Sequence, residues 1–204
     1  MKLYLLRHGR TAWNEAGKIQ GRTDIPLSEE GRRSALEAGA ALADIPFSAA
    51  FSSPLRRAKE TAEIILGARK DILRTDERLI ELNFGAAEGM CLWDMESGKR
   101  PTTVLFEAPE RYVPPRGGES YEALLARCRA FLEEEILPNE KVWEHVLIVS
   151  HGAAVRGMFG AMFGARAGEI YGRRVQKNCA VNVIGCSGGA FAPLHIARVY
   201  CETV

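Results

Sequence analysis

Residues 146–152, Val-Leu-Ile-Val-Ser-His-Gly, carry the strongest structural signal in the chain: four large aliphatic residues followed at once by Ser-His-Gly. An uninterrupted apolar run of this kind is typical of a strand that is buried on both faces of a sheet. A similar pattern occurs at residues 3–9, Leu-Tyr-Leu-Leu-Arg-His-Gly. The two stretches therefore predict two buried strands, each leading directly into a His-Gly step.

Around these strands, short apolar runs alternate with longer amphipathic segments. This alternation predicts an α/β fold, a three-layer α/β/α sandwich with a mostly parallel central sheet. Further strands are predicted at residues 49–52, 72–73, 180–184 and 191–200. Helices are predicted after N-caps at Ser28 and Ser53, the latter with Pro54 at the first helical position. Two further helices are predicted over residues 120–137, capped by Ser120, and over residues 153–163.

The chain is predicted to form a single domain, residues 1–204, because it contains neither an internal repeat nor a linker. Periodicity fades between about residues 85 and 118, where prolines and glycines accumulate. An unstructured loop of that length is unusual in a compact domain. We therefore expect this segment to be an insertion packed over the edge of the sheet that holds the candidate site.

The composition of the chain argues against several classes of protein. The chain has 27 Lys+Arg and 26 Asp+Glu residues, which argues against a nucleic-acid or membrane-surface binder that needs a basic excess. Its five cysteines include no CxxC pair, so we expect reduced thiols in a cytoplasmic protein and neither a disulfide framework nor a zinc site. The apolar run at residues 3–6 is too short for a secretion signal or a membrane span.

The two His-Gly steps are the first pointers to chemistry. In α/β sheets, the carboxyl ends of parallel strands open into a crevice where ligands bind, so His8 and His151 should lie at the same edge of the sheet. A lone histidine at a strand end is more often structural, and that interpretation is favoured for His145 and His195. The first turn of the helix after residue 54 contains Arg56 and Arg57. Cations at a helix N-terminus point to a bound anion, and the alternative is that both arginines are solvated.

Four blocks of sequence occur in a familiar order: residues 6–14 (Leu-Arg-His-Gly-Arg-Thr-Ala-Trp-Asn), 20–21 (Gln-Gly) with 24–28 (Asp-Ile-Pro-Leu-Ser), 52–58 (Ser-Ser-Pro-Leu-Arg-Arg-Ala) and 150–152 (Ser-His-Gly). Together they resemble the histidine phosphatase superfamily, and within it the cofactor-dependent phosphoglycerate mutase-like phosphatases. The resemblance covers essentially the whole chain.

The resemblance implies that His8 is the nucleophile that becomes phosphorylated and that Arg7, Arg57 and His151 hold the phosphoryl oxygens. Glu81 matches the family's general acid and base. The chemistry is consistent with this set, because phosphoryl transfer needs an in-line nucleophile and dense positive charge. Close arginines keep an imidazole neutral, and we expect a backbone carbonyl to hold its other nitrogen.

The resemblance also places Asn14, Gln20 and Gly21 in the substrate pocket. Gly152 is expected to bind substrate as well, since a glycine lets a ligand approach the main chain. No metal and no cofactor is expected, and the predicted partner is a small phosphoester. The sequence is compatible with a homodimer.

Three positions depart from the family pattern. Arg10 replaces a common glutamate, Leu92 stands where true mutases carry a lysine, and Arg111 is at best one of the two arginines that mutases use. These differences favour a phosphatase over a phosphoglycerate mutase, with a non-catalytic phospho-ligand-binding module as a third alternative.

Five residues of the segment from about 85 to 118 and its start are candidates for lining a pocket that receives an apolar or bulky alcohol portion of the substrate: Phe84, Trp93, Met95, Tyr112 and Val113.

Overall fold

A six-stranded sheet forms the centre of the computed structural model, which describes residues 1–94 and 100–200. The strands are β1 (Lys2–Arg7), β2 (Ala49–Ser52), β3 (Leu73–Thr75), β4 (His145–Ser150), β5 (Val181–Ser187) and β6 (Ala190–Arg198). Their order is β3-β2-β4-β1-β5-β6. The first four strands in this order run parallel, while β5 pairs antiparallel with β1 and β6 antiparallel with β5.

Helices cover both faces of this sheet. They are α1 (Ala12–Glu15), α2 (Glu29–Ala41), α3 (Arg56–Leu66), α4 (Pro101–Glu107), α5 (Tyr121–Phe131), α6 (Gly152–Phe163) and α7 (Ala167–Tyr171). The apolar sides of α2 and α3 pack on one face of the sheet, and those of α5 and α6 pack on the other. The predicted α/β/α sandwich with a mostly parallel sheet is therefore confirmed.

Strand β1 shows how the sequence produces the two cores. Leu3 and Leu5 point to the α5/α6 side, whereas Tyr4 and Leu6 point to the α2/α3 side, because successive side chains of a strand alternate between its faces. All four are buried. Burying a leucine side chain stabilises a fold by roughly 1.5–3 kcal/mol, so this central strand anchors both layers.

Two of the three predicted helix caps are correct. The Oγ of Ser28 accepts the N–H of Gly31 at 3.2 Å, and the Oγ of Ser120 accepts the N–H of Ala123 at 3.2 Å. The prediction at Ser53 is wrong, because its Oγ accepts the N–H of Leu55 at 3.3 Å in a preceding turn and α3 begins only at Arg56. Pro54 therefore lies outside the helix.

The remaining elements lie close to their predicted ranges. The third strand begins at residue 73, one residue late, and the long helix over residues 120–137 is α5 continued by a π-helical turn, Leu132–Ile136. The closing strands β5 and β6 are joined by a tight turn in which Gly188 and Gly189 take positive φ angles of 60° and 76°. Such angles favour glycine at both positions, as in a type I′ hairpin.

The segment from residue 85 to 118 is tied together at its ends. The N–H of Ala86 donates to the carbonyl of Arg116 at 2.9 Å, and the N–H of Glu119 donates to the carbonyl of Asn83 at 2.8 Å. Between them, α4 buries Leu105 in the main core. The division into one domain with an insertion stays a prediction. Two residues named in the sequence analysis, Met95 and Cys201, lie outside the described residues.

Among residues 1–94 and 100–200, no helix is long and apolar enough to cross a membrane.

Packing of α5 against α6 generates a stability prediction. A Cβ added at Gly157 would lie 2.7 Å from Cγ of Leu124, a distance that forces the two helices apart. We expect Gly157→Ala to lower the free energy of unfolding by about 1–3 kcal/mol despite alanine's higher helix propensity. Urea denaturation followed by circular dichroism measures this loss.

Gly168→Ala provides the matched control, because Cβ there would make only an ordinary 3.5 Å contact with Arg156. This substitution should be neutral or slightly stabilising. If the overlap with Leu124 is the cause, the double variant Gly157→Ala/Leu124→Ala should lose less stability than the sum of its two single variants. Strict additivity would contradict the packing argument.

Candidate active site

The register of β1 with β4 brings the two His-Gly steps together. Arg7 pairs with Ser150, and the N–H of His8 donates to the carbonyl of Ser150 at 2.9 Å. The imidazole rings of His8 and His151 have centroids 5.1 Å apart and are tilted by 58°. Both side chains are almost fully buried. Two histidines separated by more than 140 residues in sequence therefore share one site at the carboxyl edge of the sheet.

Hydrogen bonding selects one tautomer of His8. Its Nδ1 lies 2.6 Å from the carbonyl oxygen of Gly9, the next residue. A carbonyl can only accept, so Nδ1 carries the proton and Nε2 keeps its lone pair. The expected backbone acceptor is thus Gly9, and the Nε2 lone pair of His8 is left available.

Burial and nearby cations keep both rings uncharged. Burial is the main cause that holds the pKa of His8 well below its usual range, and the guanidinium groups of Arg57 and Arg7 lower it further. The pKa of His151 is also held well below its usual range, first by burial and then by Arg57. Neutral imidazoles therefore coexist with arginines in one pocket, as phosphoryl transfer to a histidine requires.

Arg57 is held rigidly in place by main-chain carbonyls. Its Nη1 donates to the carbonyl of Thr23 at 2.8 Å and its Nη2 to the carbonyl of Gly21 at 2.7 Å. Burial lowers the pKa of Arg57 to about 10, so it still carries its charge at neutral pH. Its neighbour Arg56 is exposed, which agrees with the choice of Arg57 as the site residue.

Several buried donors of the site have no partner within the protein. The Nε atoms of Arg7 and Arg57 are buried without a hydrogen bond, and so are both ring nitrogens of His151, of which one is a donor in the neutral ring. Buried polar atoms are nearly always paired in folded proteins, so a cluster of orphaned donors indicates the place of a ligand. The donors here are cationic or imidazole N–H groups, which suit the oxygens of a phosphoryl group.

Glu81 lies at the N-terminus of α6. Its Oε1 accepts the N–H of Ala154 at 2.9 Å, and its Oε2 accepts the N–H of Ala153 at 3.2 Å. A second bond to Oε1 comes from the N–H of Leu82 at 2.8 Å. The carboxyl group is thereby fixed in position next to Gly152, where an added Cβ would lie 3.8 Å from Oε2 of Glu81 and 3.7 Å from Nε of Arg7.

A cavity of about 330 Å³ opens above these groups. It is lined by eleven residues that the sequence singled out: Arg7, His8, Arg10, Asn14, Gln20, Gly21, Arg57, Glu81, Phe84, Leu92 and Gly152. His151 is not part of this lining, but its ring centroid lies only 5.1 Å from that of His8. Among the described residues, Glu81 is the cavity's only carboxylate, which leaves the cavity strongly cationic.

The loop after Gln20 is fastened by Glu88, a residue that the sequence analysis did not select. The carboxylate of Glu88 accepts the N–H groups of Arg22 at 2.9 Å and Thr23 at 3.0 Å. Gly21 has a φ of +54°, and a Cβ there would overlap the Glu88 carboxylate. This contact positions the two carbonyls that hold Arg57.

The predicted apolar lining is only partly correct. Phe84 lines the cavity, but Tyr112 is buried in the core and Val113 is 80% exposed. Met95 and the side chain of Trp93 lie outside the described residues. The apolar wall is instead formed by Ile19, Leu92, Phe106 and Val175 together with Phe84.

The sequence analysis also missed three polar residues of the cavity, Lys18, Thr102 and Asn178. Asn178 donates from Nδ2 to the carbonyls of His8 at 2.9 Å and Gly9 at 3.2 Å, so it braces the backbone that fixes the His8 tautomer. The sequence did contain a signal for Asn178. Strand β5 runs antiparallel to β1, so the residues just before β5 lie next to the carboxyl end of β1, where His8 is located. Lys18, which lies 5.6 Å from the Trp13 ring centroid, had no comparable signal.

The glycine of the first His-Gly step has another role than expected. A Cβ at Gly9 would lie 2.6 Å from the carbonyl oxygen of Gly31, so Gly9 allows close packing on α2 and does not line the cavity. Of the glycines in the two His-Gly steps, Gly152 lines the cavity and Gly9 does not.

Comparison with known proteins agrees with this geometry. A profile of the histidine phosphatase superfamily (branch 1) matches residues 3–198. An uncharacterized phosphatase, PhoE, of Bacillus subtilis is 37% identical over 88% of this chain and 86% of its own. A probable phosphoglycerate mutase, GpmB, of Erwinia tasmaniensis is 33% identical over 89% of this chain and 83% of its own. The solved structure of YhfR from Bacillus stearothermophilus superposes with a TM-score of 0.78 at 30% identity, covering 94% of both chains.

The electrostatic argument for His8 predicts how its titration responds to substitution. In Arg57→Gln, one of the cations that disfavour imidazolium is lost, so the pKa of His8 should rise. The midpoint can be read from the ring nitrogen shifts in a ¹⁵N NMR titration of the wild type and the variant. Arg56→Gln removes the same charge from an exposed neighbour and should leave the midpoint unchanged. Equal shifts in both variants would contradict a specific role of Arg57.

Proposed function

The chain belongs to the histidine phosphatase superfamily, whose phosphatase and mutase members support an enzymatic activity, and we propose that this chain is a metal-independent phosphomonoesterase acting through a phosphohistidine. The observation that carries the proposal is the arrangement at His8. Its Nδ1–H is bound to Gly9, its Nε2 is free, and orphaned arginine donors surround it. A small phosphorylated metabolite is the proposed substrate.

In the first step, Nε2 of His8 attacks phosphorus in line with the departing alcohol oxygen. The N–P bond forms as the P–O bond breaks, and the leaving oxygen takes a proton from the carboxyl of Glu81. Arg7, Arg57 and His151 donate to the equatorial oxygens, where negative charge accumulates in the transition state. Because the fold holds these donors in place before substrate binds, the side chains need to move little when the transition state forms.

In the second step, water replaces the alcohol. Glu81, now a carboxylate, removes a proton from water while the oxygen attacks phosphorus and the N–P bond breaks. Inorganic phosphate leaves with His8 neutral and Glu81 protonated again, so the cycle closes without another reactant.

The lining of the cavity favours transfer to water over transfer between two hydroxyls. Leu92 lies in the cavity wall at the position where mutases of the family carry a lysine, and Arg111 is exposed and does not line the cavity. A phosphoglycerate mutase remains the second candidate, because Arg10 and Lys18 supply two further cations that could hold a second anionic group. The apolar wall around Phe106 and Val175 supports a substrate whose alcohol portion is partly apolar.

The phosphohistidine is directly testable. A rapid quench of the enzyme with ³²P-labelled phosphomonoester should yield an acid-labile, base-stable label, and His8→Ala should abolish both the label and turnover. His195→Ala serves as the matched control, since this histidine is exposed in β6 and should keep full activity. An active His8→Ala enzyme would overturn the proposed nucleophile.

The reaction type follows from products. The enzyme is incubated with p-nitrophenyl phosphate, 3-phosphoglycerate and 2,3-bisphosphoglycerate, each with and without a chelator. We expect it to release inorganic phosphate at the same rate in the presence and absence of the chelator. Interconversion of phosphoglycerates without release would favour the mutase. Inertness toward a broad panel of phosphoesters would favour a non-catalytic binding module.

The acid role of Glu81 predicts a dependence on the leaving group. Glu81→Gln should slow phosphorylation of the enzyme by alkyl phosphates by roughly 10²–10⁴-fold, because an alkoxide needs a proton to depart. With p-nitrophenyl phosphate the loss in that step should be much smaller, since p-nitrophenolate leaves without a proton. Pre-steady-state burst rates with the two substrates measure the difference. Equal losses would contradict the role of Glu81 as the acid.

A further inference from the structure

A second cavity, of about 600 Å³, lies between α4, α5, α6 and α7. It shares Phe106 with the catalytic cavity but contains none of the residues of the proposed mechanism. The ring of Phe106 stacks against that of Tyr171 at 6.0 Å, and Tyr171 donates from its hydroxyl to the carbonyl of Gly152 at 3.3 Å. Two aromatic rings therefore lie beside the catalytic edge, and the second cavity is a separate space.

Arg156 lines this cavity and is only 4% exposed. Its Nε and Nη1 are buried without a hydrogen-bond partner, and its guanidinium lies 5.8 Å from the Tyr171 ring centroid. A cation–π contact offsets part of the cost of burying charge but supplies no hydrogen-bond acceptor. The guanidinium thus keeps unused donors in a space large enough for a small molecule.

Other arginines of the described chain show how unusual this is. Arg127 is paired with Glu119 at 2.7 Å, and Arg78 with Asp76 at 2.6 Å. Buried guanidinium nitrogens without a partner are found on three arginines of the described chain, Arg7, Arg57 and Arg156, and the first two belong to the phosphoryl site. Arg156 therefore resembles the ligand-binding arginines more than the structural ones. Its planar fork of donors suits a carboxylate or phosphate.

The charge of the exposed residues around the cavity favours a carboxylate over a phosphate. Four exposed glutamates contribute to its lining, Glu107, Glu110, Glu122 and Glu169, against two exposed arginines, Arg129 and Arg173. The negative excess opposes entry of a dianionic phosphate. A ligand with one carboxylate and one ammonium group matches this charge pattern, because the carboxylate pairs with the buried Arg156 and the ammonium group with the exposed glutamates.

We propose that this second cavity binds a small zwitterion of the α-amino acid class, with its carboxylate on the guanidinium of Arg156 and its ammonium group toward the glutamate rim. The site is independent of the phosphatase chemistry. Binding does not require His8, Arg57 or a phosphoester.

Isothermal titration calorimetry of a panel of free α-amino acids against the full chain tests the proposal. At least one amino acid should bind with a Kd of about 1 mM or tighter, whereas acetate, methylamine and inorganic phosphate should bind at least about tenfold more weakly. The same affinity should be found in His8→Ala, which separates this site from the catalytic cavity.

Two variants locate the binding. Arg156→Gln should weaken it by about tenfold or more, while Arg129→Gln removes an exposed arginine of the same rim and should have a much smaller effect. Gly168→Leu fills the space beside the guanidinium: an added Cβ lies 3.5 Å from Nη2 of Arg156 and has no other contact within 4 Å. It should block binding with Arg156 intact, which keeps the test valid if Arg156→Gln does not fold.

The proposal is overturned if no amino acid in the panel binds, or if binding survives unchanged in Gly168→Leu. It is also overturned if phosphate binds better than every zwitterion and Arg156→Gln abolishes that binding, because the site is then a plain anion site. A dimer in solution that Gly168→Leu dissociates would assign the cavity to a second copy of the chain instead.

Discussion

The parallel pairing of β1 with β4 is the constraint on which the rest of the molecule depends. It sets His8 beside His151 with both side chains buried, and burial is the largest cause that disfavours a charge on either ring. The arginines then add to the same effect, because a cation next to a buried imidazole raises the cost of protonating it. Positively charged arginines and an uncharged imidazole thus share one pocket.

Much of the sheet and of the site could be predicted from the sequence, because short-range patterns determine them. Apolar runs located β1, β2 and β4 to within one residue, and the rule that parallel strands end at one edge placed His8 with His151. The helix start at Ser53 was misplaced because a serine can cap a turn as well as a helix, and the sequence does not distinguish the two.

What could not be predicted depends on contacts between segments far apart in the chain. Glu88 reaches the loop after Gln20 from more than 60 residues away, and its partners are main-chain N–H groups, which every residue but proline has. The same holds for Arg57, whose carbonyl partners carry no sequence signature. Val113 and Tyr112 were assigned to the pocket by hydrophobicity, but hydrophobicity does not specify whether a side chain faces a cavity, the core or solvent.

The Glu88 contact has a consequence for how such a protein can diversify. One carboxylate connects the segment after Phe84 to the loop whose carbonyls hold Arg57. Replacing Glu88 would therefore loosen the arginine as well as the segment. Under the proposed function, a change of substrate preference is expected at cavity-lining positions that do not contact this loop, such as Leu92, because a substitution there leaves the support of Arg57 intact.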